Sequence, residues 1–584
     1  TTRLVGSEMC IRDRYKDILS IKGIYGMNQE NMRRSIFIPS DVYFSRMYKS
    51  RGNIQSERRL TQTLEAMLTF SKYMFNTVQV DALAGIGKYL ESYEGYGISY
   101  EDVHDAINEH DISSAKGKFY PTSHTGKNEK RSQFFKASFD ILDKYVLTAT
   151  LRRDGTDKFF PGNKYALFPS VSGAWKISNE NFLKNISWIN LLKLRASWGK
   201  TGQDNLGSSL YGSYAPNNFK VNFSDNGIIN IPYVSMGANY PDVSWQKTTM
   251  KNIGLDFYLL SDRISGSFDF FRNDITRLLG YASTSPLAIY ETRPINGGHY
   301  YRRGWELMVD TKNLVGEFTW DTSLTFSKTN SFWKERLPNY DYQIYQQREN
   351  EPMSAYYYYN VTGIINTDRS NMPESQKTLQ AEAQLPGCPI IEDKNKDGKI
   401  DENDVYMKDN SPAIYVGIGN TFTYKRFEFS FFMYGQFGIQ KYNIAYSAAQ
   451  AGPLAVDYPE NSNKFAYRLW NSQTNPNGSR PGLAIGKMGA LPGNAWVNAD
   501  RENASFMRMR NITLAYNLAG NILGSLQRYV RNIKVYVDAQ NPFILTKFQG
   551  FDPEIYTGGG GASGGSRGEY PQTRTFSLGV NITF

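Results

Sequence analysis

The segment Asp393-Lys394-Asn395-Lys396-Asp397-Gly398-Lys399-Ile400-Asp401-Glu402-Asn403-Asp404 has the sharpest chemical spacing in the chain. With Asp393 as position 1, side-chain oxygens stand at positions 1, 3, 5, 9 and 12, glycine at 6 and isoleucine at 8. Alternate residues of this kind converge on one hard cation. Asp393, Asn395, Asp397, Asp401 and Asp404 would supply side chains and Lys399 its backbone carbonyl. The cation expected is a structural Ca2+, held weakly because Asp404 replaces the usual bidentate glutamate. The competing reading is a solvated acidic turn closed by Asx hydrogen bonds. A second cluster, Tyr356-Tyr357-Tyr358-Tyr359, offers rings for stacking on sugar and equally suits an aromatic girdle or a strand start at a membrane rim. Nothing argues catalysis. His104, His110, His124 and His299 show no His-Glu-x-x-His pairing and are expected at the surface, and no Gly-x-Ser-x-Gly elbow is present. No pair of carboxylates stands out for glycosidase work, and no organic cofactor is implied. The glycine-rich run 558–565 lacks a following Gly-Lys-Ser/Thr and reads as a loop tip.

The elements that must position these residues are strands. The final residues alternate without a break. Phe576, Leu578, Val580, Ile582 and Phe584 share one face, and Thr575, Ser577, Gly579, Asn581 and Thr583 share the other. An exposed apolar edge is a liability in water, whereas a barrel strand in a bilayer sets one face against lipid and the other toward the lumen. The aromatic terminus also resembles the signal read by the barrel-assembly machinery. Period-two runs such as 145–152, 192–198, 253–259, 264–270, 305–310 and 427–433 bring the expected total to about 17 strands. Short connections at 72–76, 140–144, 260–263, 312–317 and 425–426 alternate with long ones at 91–130, 154–165, 200–247, 276–297, 329–412, 437–504 and 541–571. All decoration therefore falls on one rim: short periplasmic turns, long extracellular loops. A short helix is expected over 178–184, capped by Ser178 or Asn179.

Composition agrees. Aromatic residues make up 14% of the chain, with 41 Tyr and 34 Phe, yet mean hydropathy is negative. No run approaches the roughly 18 to 20 apolar residues of a membrane helix. The fold class expected is all-β, a transmembrane antiparallel β-barrel. The net charge of +10 is dispersed among 56 acidic residues and forms no stripe, so a nucleic-acid partner is not implied. Cys10 and Cys388 are too few and too far apart for a disulfide framework. The string Leu4–Asp13 resembles an in-frame translation of a transposon-type sequencing-library adapter. Residues 1–14 are therefore expected to be foreign, with native protein from Tyr15.

One ordered series of segments is more specific than any single motif. Tyr145–Gly155, Phe168–Trp175, Leu192–Gly202, Lys251–Phe257, Arg263–Phe270, the Asp393 loop and Phe506–Tyr516 follow one another in this chain. The series closely resembles the C-terminal barrel of SusC/RagA-type TonB-dependent outer-membrane transporters, over nearly everything from Leu60 to Phe584. The resemblance implies a barrel of about 22 strands, with about 17 in residues 15–584. The signal peptide, TonB box, plug and first strands would lie outside this sequence. It further implies TonB-coupled import of an oligosaccharide or peptide with a SusD-like surface lipoprotein, in contact with outer-membrane lipid. The runner-up is a TonB-dependent siderophore or cobalamin receptor without a lipoprotein. A passive porin and a soluble glycan-binding adhesin are the remaining alternatives.

Overall fold

A computed structural model describes the chain except residues 1, 5–7, 16–17, 42–48, 107–111, 207–209, 213, 217–222, 226–227, 231–232, 236–237, 285–291, 339–341, 347–348, 444–466, 483–484, 486–487, 490, 500, 520–523, 525–527, 551 and 555–571. The glycine-rich run 558–565 and His110 lie outside the described residues.

Seventeen strands form one antiparallel wall in chain order. Glu8–Tyr15, continued by Thr2–Leu4, pairs with Leu19–Ile38, followed by Arg51–Met74, Val78–Glu101, Phe119–Ile141, Tyr145–Thr156, Tyr165–Lys176 and Ile189–Gln203. Gln246–Leu259, Ile264–Ser283, Thr292–Leu314 and Phe318–Glu335 come next. Ile414–Tyr424, Phe427–Phe437, Phe506–Ala519, Asn532–Gln540 and Thr575–Thr583 complete it. Among the described residues Glu8–Tyr15 and Thr575–Thr583 each pair on one side only, so the wall is an open sheet there. Every wall strand pairs with its neighbour in chain order, and alternate connections are tight reversals. Asn76, Asp143, Asp262 and Lys425 take left-handed φ at four such turns.

Side chains separate by face. Ile253, Phe268, Phe270, Leu514 and Leu578 stand exposed on the outer face, which suits lipid and would be a large apolar patch in water. On the strands that carry Ile253, Phe268 and Phe270, charged residues point the other way. Arg195 makes a bidentate contact with Asp256 (2.7–3.0 Å) and reaches Asp269 at 3.1 Å. That reach crosses the intervening strand at Gly254, where a Cβ would sit 2.7 Å from the guanidinium. Glycine there admits a three-strand ion-pair network on the inner face.

Three expectations need correction. The loop expected over 91–130 spans only 102–118, because strands run on to Glu101 and restart at Phe119. Polar residues keep the ladder going above the apolar band, helped by cross-strand pairs such as Arg59–Glu91 (3.6 Å) and Arg58–Glu94 (3.7 Å). The loop expected over 276–297 likewise shrinks to 284–291. The helix expected over 178–184 is a single 3-10 turn, Ile177–Asn179. Asn179 donates its side-chain amide to the Asp143 carbonyl (2.7 Å) instead of capping a helix. Glu180 is drawn into a clamp by Lys144 (2.8 Å), Tyr145 (2.6 Å) and Trp175 (3.1 Å).

The two faces of the last strand give a direct test in the full-length outer-membrane protein. Val580→Arg sets a charge against lipid and should cost about 2–4 kcal/mol near the midplane, while Asn581→Arg on the opposite face should be tolerated. Heat-modifiable migration of the outer-membrane fraction reads the folded yield. Equal yields would contradict the assigned faces.

Candidate functional site

The long-loop rim carries its own hydrophobic core. Tyr345, Tyr359, Ile365, Cys388, Ile391, Ile400, Val405 and Leu491 belong to one buried cluster drawn from the 336–413 and 438–505 connections. Its backbone frame begins with the tyrosine run. Ala355–Tyr359 pairs antiparallel with Tyr406–Asp409, in the register Tyr358↔Tyr406, and parallel with Trp496–Val497. Val361–Ile364 pairs with Pro389–Ile391. Segments more than 130 residues apart in sequence are thereby zipped together.

Strand alternation splits the four tyrosines into two roles. Tyr357 and Tyr359 point into the cluster. Tyr359 is fully buried, its hydroxyl 2.9 Å from the Asp401 carbonyl oxygen and 3.0 Å from that of Pro492. The Tyr357 hydroxyl donates to the buried Glu351 carboxylate, which also pairs with Arg336. Burial, reinforced by Glu351, pushes the Tyr357 phenol above its ordinary range. Tyr356 and Tyr358 occupy the other face, where their rings stack at 5.1 Å and Tyr358 stacks on Tyr406 at 5.7 Å. Arg501 lies 3.6 Å over Tyr356, and Lys394 lies 4.6 Å over Tyr406. A cation thus closes each end of a three-ring ladder. As a unit the run is neither a lipid girdle nor a row of free sugar-stacking rings. Two tyrosines are core and two are a braced, half-buried face.

Arg501 also lines a polar groove of about 650 Å3 with Asn366, Asn371, Trp470, Arg480 and Asn498. Among the described residues the lining holds amides, guanidinium groups and hydroxyls around one indole. Such a surface suits a ligand rich in hydroxyl or amide groups. Two structural contacts hold it in shape. The Asn498 amide donates to Asn360 (2.8 Å), and Arg480 pairs with Glu502 (3.0 Å).

The 393–404 loop hangs from this core between Pro389–Ile391 and Tyr406–Asp409. Ile400 plugs it into the cluster, and Gly398 takes the left-handed φ of +86° that the turn needs. Asp393 accepts from the Asp397 and Gly398 amides (3.2 and 2.9 Å), Asn395 from Asp397 (3.1 Å), and Asp397 from Lys399 (2.9 Å). Asp401 and Asp404 form a reciprocal capping box. Asp404 is fully buried, its two oxygens accepting from the Lys394 and Asp401 amides at 2.9 Å each. The loop keeps the residue spacing read from the sequence and is closed on itself by these backbone hydrogen bonds. Among the described residues no three carboxylate, histidine or cysteine side chains approach closely enough to hold a metal.

Other candidates are scattered. His299 is half-buried, 3.5 Å from Asp274, rather than at the surface, because the long strands carry it inside the wall. Cys388 is buried in the rim core, and burial pushes its thiol up to about 11. Phe576, Leu578, Val580, Ile582 and Phe584 lie along the last strand, away from the rim groove. Sequence reasoning missed Arg501, Tyr406 and Arg508. Arg508, almost fully buried, contacts Asp552 at 2.7 Å and Glu554, tying the 541–574 loop to the wall. Tyr406 falls inside the loop expected over 329–412 and Arg508 in the Phe506–Tyr516 segment, and no local pattern announces partners this distant.

The family model for the TonB-dependent receptor-like β-barrel matches residues 19–352, more than half of the chain. This chain belongs to the TonB-dependent receptor β-barrel family. It is an outer-membrane β-barrel protein. TonB-dependent receptor P3 of Formosa agariphila is 26% identical over 97% of this chain and 57% of its own length. TonB-dependent receptor SusC of Bacteroides thetaiotaomicron is 29% identical over 79% of this chain and 44% of its own length. The chain therefore spans about half the length of the curated relatives it matches. A solved RagAB peptide transporter shares the fold, with a TM-score of 0.79 at 20% identity over 98% of this chain and 61% of that one.

Removing the Tyr359 hydroxyl tests the rim core. Tyr359→Phe removes the hydroxyl proton shared by the Asp401 and Pro492 carbonyls, of which the Asp401 carbonyl keeps the Asp404 amide as donor, and should cost about 1 kcal/mol of local stability. Limited proteolysis should then cut within 352–412 faster than in the parent, while the wall strands stay protected. Unchanged cleavage would mean that the ladder and strand pairing hold the rim without it.

Proposed function

We propose that this chain is wall and rim of an energy-coupled importer of oligosaccharides or peptides. The full protein would couple to TonB through segments outside this sequence and would work with a SusD-like lipoprotein seated on the long-loop rim. The observation that carries the reading is the folded rim. Loops of a passive pore need no core of their own, whereas capture of a polar ligand and a protein lid both favour a preorganised surface. The polar groove, lined by amides, hydroxyls, guanidinium groups and one indole, supports a ligand rich in hydroxyl or amide groups. RagAB, whose fold this chain shares, is a peptide transporter.

Affinity purification of the full-length protein from native outer membranes should recover a surface lipoprotein in near-stoichiometric amount. Deleting the gene should abolish growth on one polymeric glycan or peptide source while leaving growth on its monomers intact. Loss of iron-chelate or cobalamin uptake, with no lipoprotein recovered, would overturn the proposal in favour of the siderophore or cobalamin reading.

We propose in addition that the 393–404 loop takes a structural Ca2+ through Asp393, Asn395, Asp397, Asp401, Asp404 and the Lys399 carbonyl. Its turn geometry and donor order support this reading; the cation would have to draw Asp404 partly off its amide partners. Calcium should slow proteolysis within 352–412, and the double variant Asp393→Ala/Asp397→Ala should lose that protection. Identical cleavage of the parent with calcium and with chelator would leave a self-capped turn.

A further inference from the structure

The outer face of the wall carries one feature that neither import nor the rim uses. A groove of about 670 Å3 runs across the strands Arg51–Met74, Val78–Glu101, Phe119–Ile141 and Tyr145–Thr156. Ala66 and Ala84 form its floor, and Ile86, Phe135 and Leu151 its walls. The strand register makes it continuous, since Ala66 stands opposite Ile86, Ala84 opposite Phe135, and Phe135 opposite Leu151. Ile86 and Phe135 are 60% and 50% exposed, so the groove opens outward toward lipid.

Its upper end is basic. Arg153 lines the groove itself, stacks 4.3 Å over Tyr165 and donates to the Gln133 side chain (3.3 Å). One row higher, Lys88 and Arg131 stand directly opposite each other on neighbouring strands. These two share a single carboxylate, Glu129, at 3.4 and 2.6 Å. Three cations and one acid leave excess positive charge on three adjacent strands.

Height along the wall says which part of the bilayer this charge meets. Lys88 lies ten residues beyond Val78, the turn-side start of its strand. At about 3.3 Å per residue and a tilt of about 40°, that is about 25 Å up the wall, the full height of an apolar band. The cations therefore sit at the boundary on the long-loop side, which is the outer leaflet. Below them the groove lies within hydrocarbon.

We propose that this groove holds an acyl chain of a phosphate-bearing lipid of the outer leaflet, with Arg131, Arg153 and Lys88 receiving its headgroup. An apolar slot ending in a cluster of guanidinium and ammonium groups is complementary to that shape and charge. Small residues at Ala66 and Ala84 keep the slot open.

The test uses the full-length protein reconstituted in phosphatidylethanolamine bilayers, with spin-labelled phosphatidylglycerol or spin-labelled phosphatidylcholine of matched chains as probe. The parent should associate with the anionic probe at least about five-fold more strongly, the equivalent of ~1 kcal/mol of headgroup attraction. Arg131→Gln/Arg153→Gln should bring that ratio toward one. Ala84→Phe, which fills the slot and keeps the charges, should weaken both probes together. Heat-modifiable migration checks that each variant is folded. A ratio near one in the parent, or a ratio untouched by the double substitution, would overturn the proposal.

Discussion

Everything in this molecule depends on hydrogen-bonding the backbone where no water can reach it. In hydrocarbon each unpaired amide or carbonyl costs several kcal/mol, so a chain without long apolar helices can cross only as a continuous strand ladder. Once every strand pairs with its sequence neighbour, side-chain direction alternates with period two and the sheet acquires two chemically opposite faces. The Arg195–Asp256–Asp269 network and the exposed Ile253, Phe268 and Phe270 lie on the same three strands, one residue out of phase. Aromatic abundance without hydropathy, which looks contradictory in the composition, is the signature of that arrangement.

The same ladder explains the asymmetry of the two rims. Turn-side reversals need only one to three residues in left-handed conformation, so they carry little chemistry. On the other rim the wall ends above the bilayer and water returns, so the chain is free to fold in the ordinary way. There it builds a small domain from distant loops around Tyr359, Ile391, Ile400 and Leu491. The tyrosine run shows how one strand serves both purposes: alternate rings fill the core, and the remaining two form a ladder with Tyr406 closed by Arg501 and Lys394.

Much of the wall was legible because the signal is local. Alternation in Ile253–Leu259 or Thr575–Phe584 states both the element and its orientation, and the strand total followed from counting such runs. Strand ends were harder. Above the band, Glu91 and Glu94 look like loop residues, yet cross-strand partners on the preceding strand keep them in the ladder. The small turn at 177–179 failed as a helix because Asn179 and Glu180 found partners on a neighbouring hairpin. At the rim, sequence named Tyr356–Tyr359 and Asp393–Asp404 but not their relation. Tyr359 reaches the Asp401 carbonyl across 42 residues and the Pro492 carbonyl across 133. Arg501 meets Tyr356 from a different loop. Contacts of that range leave no periodicity behind.

A two-faced wall standing in a bilayer makes a sharp demand on side-chain access. It is tested most directly by nitroxide scanning of residues 250–257 in the reconstituted full-length protein, with oxygen as the lipid-phase relaxant and a nickel chelate as the aqueous one. The wall predicts oxygen access peaking at 253, 255 and 257 and nickel access peaking at 252, 254 and 256, in strict alternation. Uniform aqueous access along the whole segment would contradict it and point to a soluble sheet.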